Sequence, residues 1–98
     1  MGGLVFEWDP RKASTNRRKH GVAFDEAATV FGDPLSITLH DPDHAEDRWV
    51  MVGMSDTQKL LIVVHTVRGE RIRLISARLA TRHEKRNYEE SSREAPLQ

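Results

Sequence analysis

Apolar and polar residues follow a helical spacing at the start of the chain and an extended one after residue 34. In the first part, apolar residues recur every three or four positions, at Phe24, Ala27, Ala28 and Phe31. This spacing predicts a short amphipathic helix. The segment before it has little to bury besides Ala13, but Asp9 and Pro10 are typical of a helix start and Gly21 of a helix end. The pattern therefore predicts two N-terminal helices that form a hairpin.

After residue 34, four segments alternate or run apolar and predict strands at residues 35–39, 49–54, 60–67 and 71–78. The segment 60–67 is apolar on both faces, so it is expected at the centre of the sheet. Residues 6–8 alternate over a shorter stretch and predict an extra edge strand. Strict alternation in the fourth strand puts Leu74, Ser76 and Arg78 on one face, with Arg73 and Ala77 on the other.

The last predicted element is a polar helix that begins at Thr81 or Arg82 and ends near Ser92. Thr81 followed three residues later by Glu84 is the pattern of a capping box. We thus predict an α+β fold, in which a helical hairpin packs on one face of an antiparallel four-stranded sheet with a short extra N-terminal strand and a C-terminal helix. A length of 98 residues predicts a single domain over residues 1–98, with an ordered core at about residues 5–92.

The composition excludes several kinds of chemistry. The chain has no cysteine, which excludes thiol nucleophiles, disulfides and zinc ribbons. The first eight residues lack the pattern of a secretory signal, and no apolar run approaches the roughly 20 residues that span a bilayer. We therefore expect a cytoplasmic protein with no membrane contact.

The charges balance, at 15 Lys and Arg against 15 Asp and Glu, but they are segregated along the chain. Residues 11–20 carry five basic residues and no acid, residues 59–86 carry eight basic residues and two acids, and the stretch between them is acidic apart from Arg48. A fold that joins the two basic blocks would create a cationic face suited to a polyanion such as nucleic acid. The alternative is that both blocks are ordinary solvated surface.

Segments along nearly the whole chain, from Phe6 to about Glu89, together resemble the BrnT family of bacterial toxins. They are residues 6–10, Asn16, residues 19–22 with Phe24, residues 27–31 followed by Asp33 and Pro34, the strand of Arg48, residues 75–78 and the helix 82–88. The resemblance implies a RelE-like fold and a ribonuclease that acts on RNA, free or on the ribosome, and halts translation.

The same resemblance implies a protein partner and no cofactor. The partner would be an antitoxin of the BrnA type, whose ribbon-helix-helix domain binds operator DNA. The toxin would reach DNA only through this antitoxin, in a heterotetramer of two toxins and two antitoxins that represses its own promoter. Two rivals remain: a non-catalytic module that binds RNA or ribosomes, and an inactive protein that serves only to bind the antitoxin.

RNA cleavage without a metal needs a base near the ribose 2′-OH, an acid near the 5′-oxygen and cations around the developing phosphorane. Lys19 and His20 end the first predicted helix, where the helix dipole favours a protonated imidazole. That position suits a general acid or a charge stabiliser. The alternative is that both side chains only cap helix carbonyls.

Arg78, at the end of the fourth strand, is predicted to clamp a phosphate, because its planar guanidinium can form two hydrogen bonds to one phosphate. The alternative is a structural arginine that bridges the sheet and the terminal helix. The other predicted phosphate- or RNA-binding residues are Arg17, Arg18, Arg48, Arg73 and Arg82.

Glu84 and Tyr88 share one face of the terminal helix, so a carboxylate there could orient a phenol toward a substrate. The alternatives are that Glu84 only caps the helix with Thr81 and that Tyr88 anchors the helix to the sheet. The predicted catalytic set is Lys19, His20, Arg78, Glu84 and Tyr88. The loop 40–44 holds two histidines and two aspartates, but no matching motif occurs elsewhere, so we predict no metal.

Overall fold

The structure has the predicted sequence of helices and strands. A computed structural model describes residues 3–44 and 46–94. Its elements are β1 (Val5–Glu7), α1 (Pro10–His20), α2 (Phe24–Thr29), a 3₁₀ turn (Val30–Gly32), β2 (Ile37–Asp41), β3 (Arg48–Met54), β4 (Leu60–Arg68), β5 (Arg71–Leu79) and α3 (Arg82–Glu94). Residues 1–2, 45 and 95–98 of the predicted domain lie outside the described residues.

Local hydrogen bonds define both ends of α1. The Asp9 carboxylate accepts a hydrogen bond from the Arg11 N–H at 2.8 Å, and Pro10 follows it in the first turn. At the other end, Gly21 adopts a left-handed φ of 71° and donates its N–H to the Arg17 carbonyl at 2.8 Å. The predicted start and end of this helix are confirmed.

The sheet has five strands in the order β1-β5-β4-β3-β2. Adjacent strands pair antiparallel except at one edge of the sheet, where β1 runs parallel to β5 and pairs with residues 71–73. The predicted four-stranded antiparallel sheet is therefore a five-stranded mixed sheet, because the extra N-terminal strand joins its edge. β4 lies at the centre, as its two apolar faces predicted.

The register of β4 against β5 shifts next to Val64, which leaves Ile75 as an extra residue in β5. Leu74 and Ala77 consequently pack into the same core, at 1% exposure each. Strict alternation predicted that they face opposite sides, and this prediction was wrong. A β-bulge resets the alternation within one strand, and no residue type in the segment marks its position.

α1 and α2 each pack mainly on β5, not on each other. The core beneath them includes Val22, Phe24, Ala27, Val30, Met51, Leu61, Val63, Leu74 and Ala77. α1 directs only Ala13 and Asn16 toward this core. The predicted helical hairpin is not confirmed, because α1 has no apolar stripe against which α2 can pack.

α3 begins with the predicted capping box. The Glu84 N–H donates to Thr81 Oγ1 at 3.2 Å, and the Thr81 N–H donates to Glu84 Oε1 at 2.8 Å. The helix buries Tyr88 and contacts β3. No helix in the described part of the chain is both long and apolar enough to cross a membrane.

Candidate functional site

Asn16 holds α1 against the edge of β5 that β1 leaves uncovered. Its Oδ1 accepts the Ala77 N–H at 3.0 Å, and its Nδ2 donates to the carbonyls of Ala77 at 2.8 Å and Val22 at 3.1 Å. The side chain is 6% exposed. Asn16 thus supplies the hydrogen bonds that a neighbouring strand would make, and it fixes the position of the residues around it.

A shallow groove of about 280 Å³ runs between α1 and β5, beside Asn16. Its lining residues are Arg11, Lys12, Thr15, Asn16, Lys19, His20, Ile75 and Ser76. The structure therefore brings the predicted pair Lys19 and His20 together with the Ser76 hydroxyl. The sequence reasoning missed Arg11, Lys12 and Ser76 as site residues. A signal for the two cations was present in the sequence. Arg11 and Lys12 lie eight residues, about two turns, before Lys19 and His20, so all four lie on one side of the helix.

The basic residues of the sheet and those of α1 differ in their partners. Each sheet arginine has a carboxylate within 4.0 Å: Arg48 and Arg68 have Glu46, Arg71 and Arg73 have Glu7, and Arg78 has Glu84. Within the described residues, none of the α1 cations forms an ion pair, and all of them are exposed. α1 therefore carries unpaired cations and no acid, whereas the exposed cations of α3, Arg82, Lys85 and Arg86, share their helix with Glu84, Glu89 and Glu90.

Arg78 forms a two-pronged pair with Glu84, with both N–O distances at 2.8 Å. The Arg78 guanidinium and the Thr81 N–H lower the pKa of Glu84 to about 2, and the same pairing raises the pKa of Arg78. In this geometry Arg78 bridges β5 to α3 and Glu84 caps α3. These are the structural roles that the sequence left open as alternatives to catalysis.

We expect this pair to make the protein less stable in acid. A carboxylate with a lowered pKa contributes stability that is present above its unfolded pKa of about 4.5 and is lost as the pH falls toward about 2. Because the Arg78 side chain is 41% exposed, solvent screening limits the expected loss to about 1 to 2 kcal/mol. Urea unfolding of wild type and Glu84→Gln at pH 7 and pH 3 tests this. An equal acid loss in both proteins would contradict the assignment.

Tyr88 is bound to Asp33 and lines a groove of about 420 Å³ that does not include Lys19 or His20. Its phenol donates to Asp33 Oδ2 at 2.6 Å, and the ring is 7% exposed. Burial and the Asp33 carboxylate raise the pKa of Tyr88 to about 12. Asp33 also accepts the N–H groups of Leu35 and Met54, so the contact fastens α3 to the ends of β2 and β3.

The remaining predicted phosphate-binding residues are spread over four elements, α1, α3, β3 and β5. Arg17 and Arg18 are exposed on α1, and Arg82 is exposed at the start of α3. Arg73 bonds to Glu7 at 2.9 Å. Arg48 lies 3.6 Å from Glu46, and its Nε is buried without a hydrogen-bond partner. Of this set, only Arg17 and Arg18 lie on the same element as Lys19 and His20.

The histidine and aspartate loop forms two separate pairs. His40 contacts Asp47, and His44 contacts Asp41, each at 3.3 Å. In the part of the chain that the structure describes, no group of three histidine or acidic residues is arranged to hold a metal.

Comparisons with known proteins identify the family to which this chain belongs. A sequence model of the ribonuclease toxin, BrnT, of type II toxin-antitoxin systems matches residues 8–84. The chain belongs to the BrnT family. A comparison with curated proteins finds no match.

The crystal structure of the ribonuclease toxin BrnT from Brucella abortus is similar in fold. It has a TM-score of 0.62 and 23% identity, and the match covers 82% of this chain and 100% of that one. This BrnT-family chain therefore shares the α+β fold of that toxin.

Proposed function

We propose that this BrnT-family protein cleaves RNA in the groove between α1 and β5, without a metal ion. The observation that carries the proposal is that each sheet arginine is paired with a carboxylate while the α1 cations are not. A cationic helix beside a groove is the arrangement expected of a surface that binds a polyanion. The family description, a ribonuclease toxin, supports RNA as that polyanion.

In the proposed reaction, the ribose 2′-oxygen attacks the adjacent phosphorus, and the bond from phosphorus to the 5′-oxygen breaks. His20 donates its proton to the leaving 5′-oxygen, and a water molecule accepts the proton of the 2′-OH. Lys19 stabilises the negative charge of the phosphorane. Arg11 and Lys12, about two turns earlier on α1, bind the phosphate backbone outside the reacting centre. The products are a 2′,3′-cyclic phosphate and a 5′-hydroxyl.

Arg78, Glu84 and Tyr88 receive a different role in this proposal from the one that the sequence predicted. Their hydrogen bonds are already used within the protein, where they attach α3 to the sheet. A guanidinium whose charge is already paired with Glu84 attracts a phosphate less strongly than the unpaired cations of α1 do.

The proposal includes the partner that a type II system supplies. We infer a BrnA-like antitoxin in the cytoplasm, which binds two copies of the toxin as a heterotetramer and represses the operon through its own DNA-binding domain. The unpaired cations of α1 support an antitoxin segment with acidic or apolar residues on this helix. A complex whose interface lies only on the acidic residues 41–56 would refute that placement.

The direct test is incubation of the purified full-length protein with single-stranded RNA in excess chelator. We expect cleavage to continue, and the new ends to carry a cyclic phosphate and a 5′-hydroxyl. Cleavage that stops in chelator and returns with added magnesium would contradict the metal-free reaction. A protein that binds RNA but never cuts it would favour the non-catalytic rival, for which the absence of a carboxylate or second histidine in the groove lining is the supporting observation.

The salt dependence of RNA binding gives a further prediction. For single strands, log K falls with log salt by about 0.7 per neutralised phosphate, so Arg11→Gln with Lys12→Gln should reduce the slope by about 1.4. Arg86→Gln, which removes an exposed charge from α3, is the matched control and should leave the slope unchanged. Equal slopes in the double variant and the wild type would show that RNA does not lie on this face of α1.

A further inference from the structure

A second groove of about 330 Å³ lies on the opposite flank of α1 from the proposed cleavage groove, the one that Lys19, His20 and Ser76 line between α1 and β5. Ser14 and Arg17 of α1 line one side, and Trp8, Phe24 and Asp25 line the other. A helix turns about 100° per residue, so Arg18 points outward between the two grooves. α1 thus separates the two grooves, and the exposed Arg18 lies on its outer face between them.

The walls of this second groove combine an aromatic ring, an acceptor and a donor. Trp8 is half-buried, and its ring meets Phe24 edge-on at 5.9 Å between centroids and 80° between planes, which fixes its orientation. Arg17 and Asp25 are exposed and form no ion pair with each other or with any other described residue. Aromatic rings stack on unpaired RNA bases, and charged side chains read the base edges.

The acceptor and the donor together favour one base. Guanine carries two adjacent donors on its Watson–Crick edge, N1–H and the N2 amino group, which match the two oxygens of a carboxylate. Its other edge offers the O6 and N7 acceptors, which match an arginine guanidinium. Adenine has no N1–H and no O6, so it would leave Asp25 with at most one bond and Arg17 with a repelling amino group.

We propose that this groove binds a guanine of the RNA strand that is cut on the other side of α1. Trp8 stacks on the base, Asp25 binds its Watson–Crick edge, and Arg17 binds O6 and N7. The strand crosses α1 over Arg18, so that its phosphates follow the helix and one base enters the second groove. The proposal rests on the proposed function for the cut itself, but the base site can be measured without cleavage.

Binding of nucleotides to the full-length protein tests the site directly. We expect calorimetry to show that guanosine 3′-monophosphate binds at least about 10-fold more tightly than adenosine 3′-monophosphate, since each of the two bidentate contacts discriminates by about 5-fold or more. Inosine 3′-monophosphate, which lacks the N2 amino group, should bind with intermediate affinity. Equal affinities for the three nucleotides would overturn the proposal.

Variants test whether the preference for guanosine 3′-monophosphate arises in the second groove. Asp25→Asn should remove at least about 10-fold of the discrimination, and Trp8→Phe should retain it because an aromatic ring remains. Arg18→Gln should weaken the binding of all three nucleotides alike and leave their ratio unchanged. Glu70→Gln, which removes an exposed carboxylate from the β4–β5 turn, should change neither. An unchanged ratio in Asp25→Asn would refute the role of Asp25.

The two proposals fail separately. If the protein prefers guanosine 3′-monophosphate but never cuts RNA, the cleavage proposal is wrong and the base site stands. If the protein cuts RNA with no guanine enriched near the new ends, and Asp25→Asn leaves the cut positions unchanged, the base site is wrong and the cleavage groove stands.

Discussion

Asn16→Ala is expected to lower the free energy of unfolding by about 3 to 5 kcal/mol. The substitution removes three hydrogen bonds and leaves the Ala77 N–H, the Ala77 carbonyl and the Val22 carbonyl without their partner. Unpaired buried polar groups cost about 1 to 3 kcal/mol each, although water that enters the space left behind recovers part of this. A domain of this size is typically stable by only 5 to 15 kcal/mol, so the melting temperature should fall by about 12 °C or more.

Thermal and urea unfolding measure this effect, with Arg18→Ala as the control. Arg18 is an exposed position of the same helix, and its replacement should change the stability by less than about 0.5 kcal/mol. Asn16→Asp should also be strongly destabilised, since a carboxylate keeps the acceptor for Ala77 but loses both donated bonds. A loss below about 1 kcal/mol in Asn16→Ala would show that the edge of β5 does not depend on this side chain.

His20→Ala is expected to slow RNA cleavage by a factor of about 10² to 10⁴, the usual contribution of a positioned proton donor. The fold should be intact, because His20 is exposed at the end of α1. His83→Ala is the matched control, since His83 is an exposed histidine on α3. Equal rates for the His20 and His83 variants would exclude His20 from the reaction and favour a binding module.

The identity of the leaving group separates the role of His20 from that of Lys19. An RNA with sulfur in place of the bridging 5′-oxygen leaves as a thiolate, which needs no proton from the enzyme. This substrate should restore the rate of His20→Ala to near that of the wild type. It should leave Lys19→Ala slow, because the phosphorane still needs its charge stabilised. Rescue of both variants, or of neither, would contradict the assigned roles.

Local sequence signals were sufficient for most of the fold. The Asp9, Pro10 and Gly21 signals define α1, the Thr81 and Glu84 pair starts α3, and the run at residues 60–67 is the central strand. The parallel pairing of β1 could not be predicted, because three residues alternate in the same way beside any partner. The bulge in β5 and the packing of α1 and α2 mainly on β5 also depend on tertiary structure.

The candidate site was predictable only in part. The pair Lys19 and His20 could be selected because a helix end fixes both side chains in one place. Glu84 and Arg78 were selected for their chemistry, but no local signal reveals that the two bind each other across the β5–α3 junction. Asn16 entered only through the family resemblance, since an asparagine within a polar helix has no pattern that marks it as buried.

The groove between α1 and β5 also has a consequence for the timing of synthesis. Asn16 and Ala77, which join its two walls, are separated by 61 residues in the chain. At about 5 to 20 residues per second, a ribosome needs roughly 3 to 12 seconds to pass from one to the other, and β5 must then leave the exit tunnel. During that interval β5 is not yet available for α1 to pack against. A nascent chain therefore cannot carry a complete groove until β5 has emerged from the ribosome.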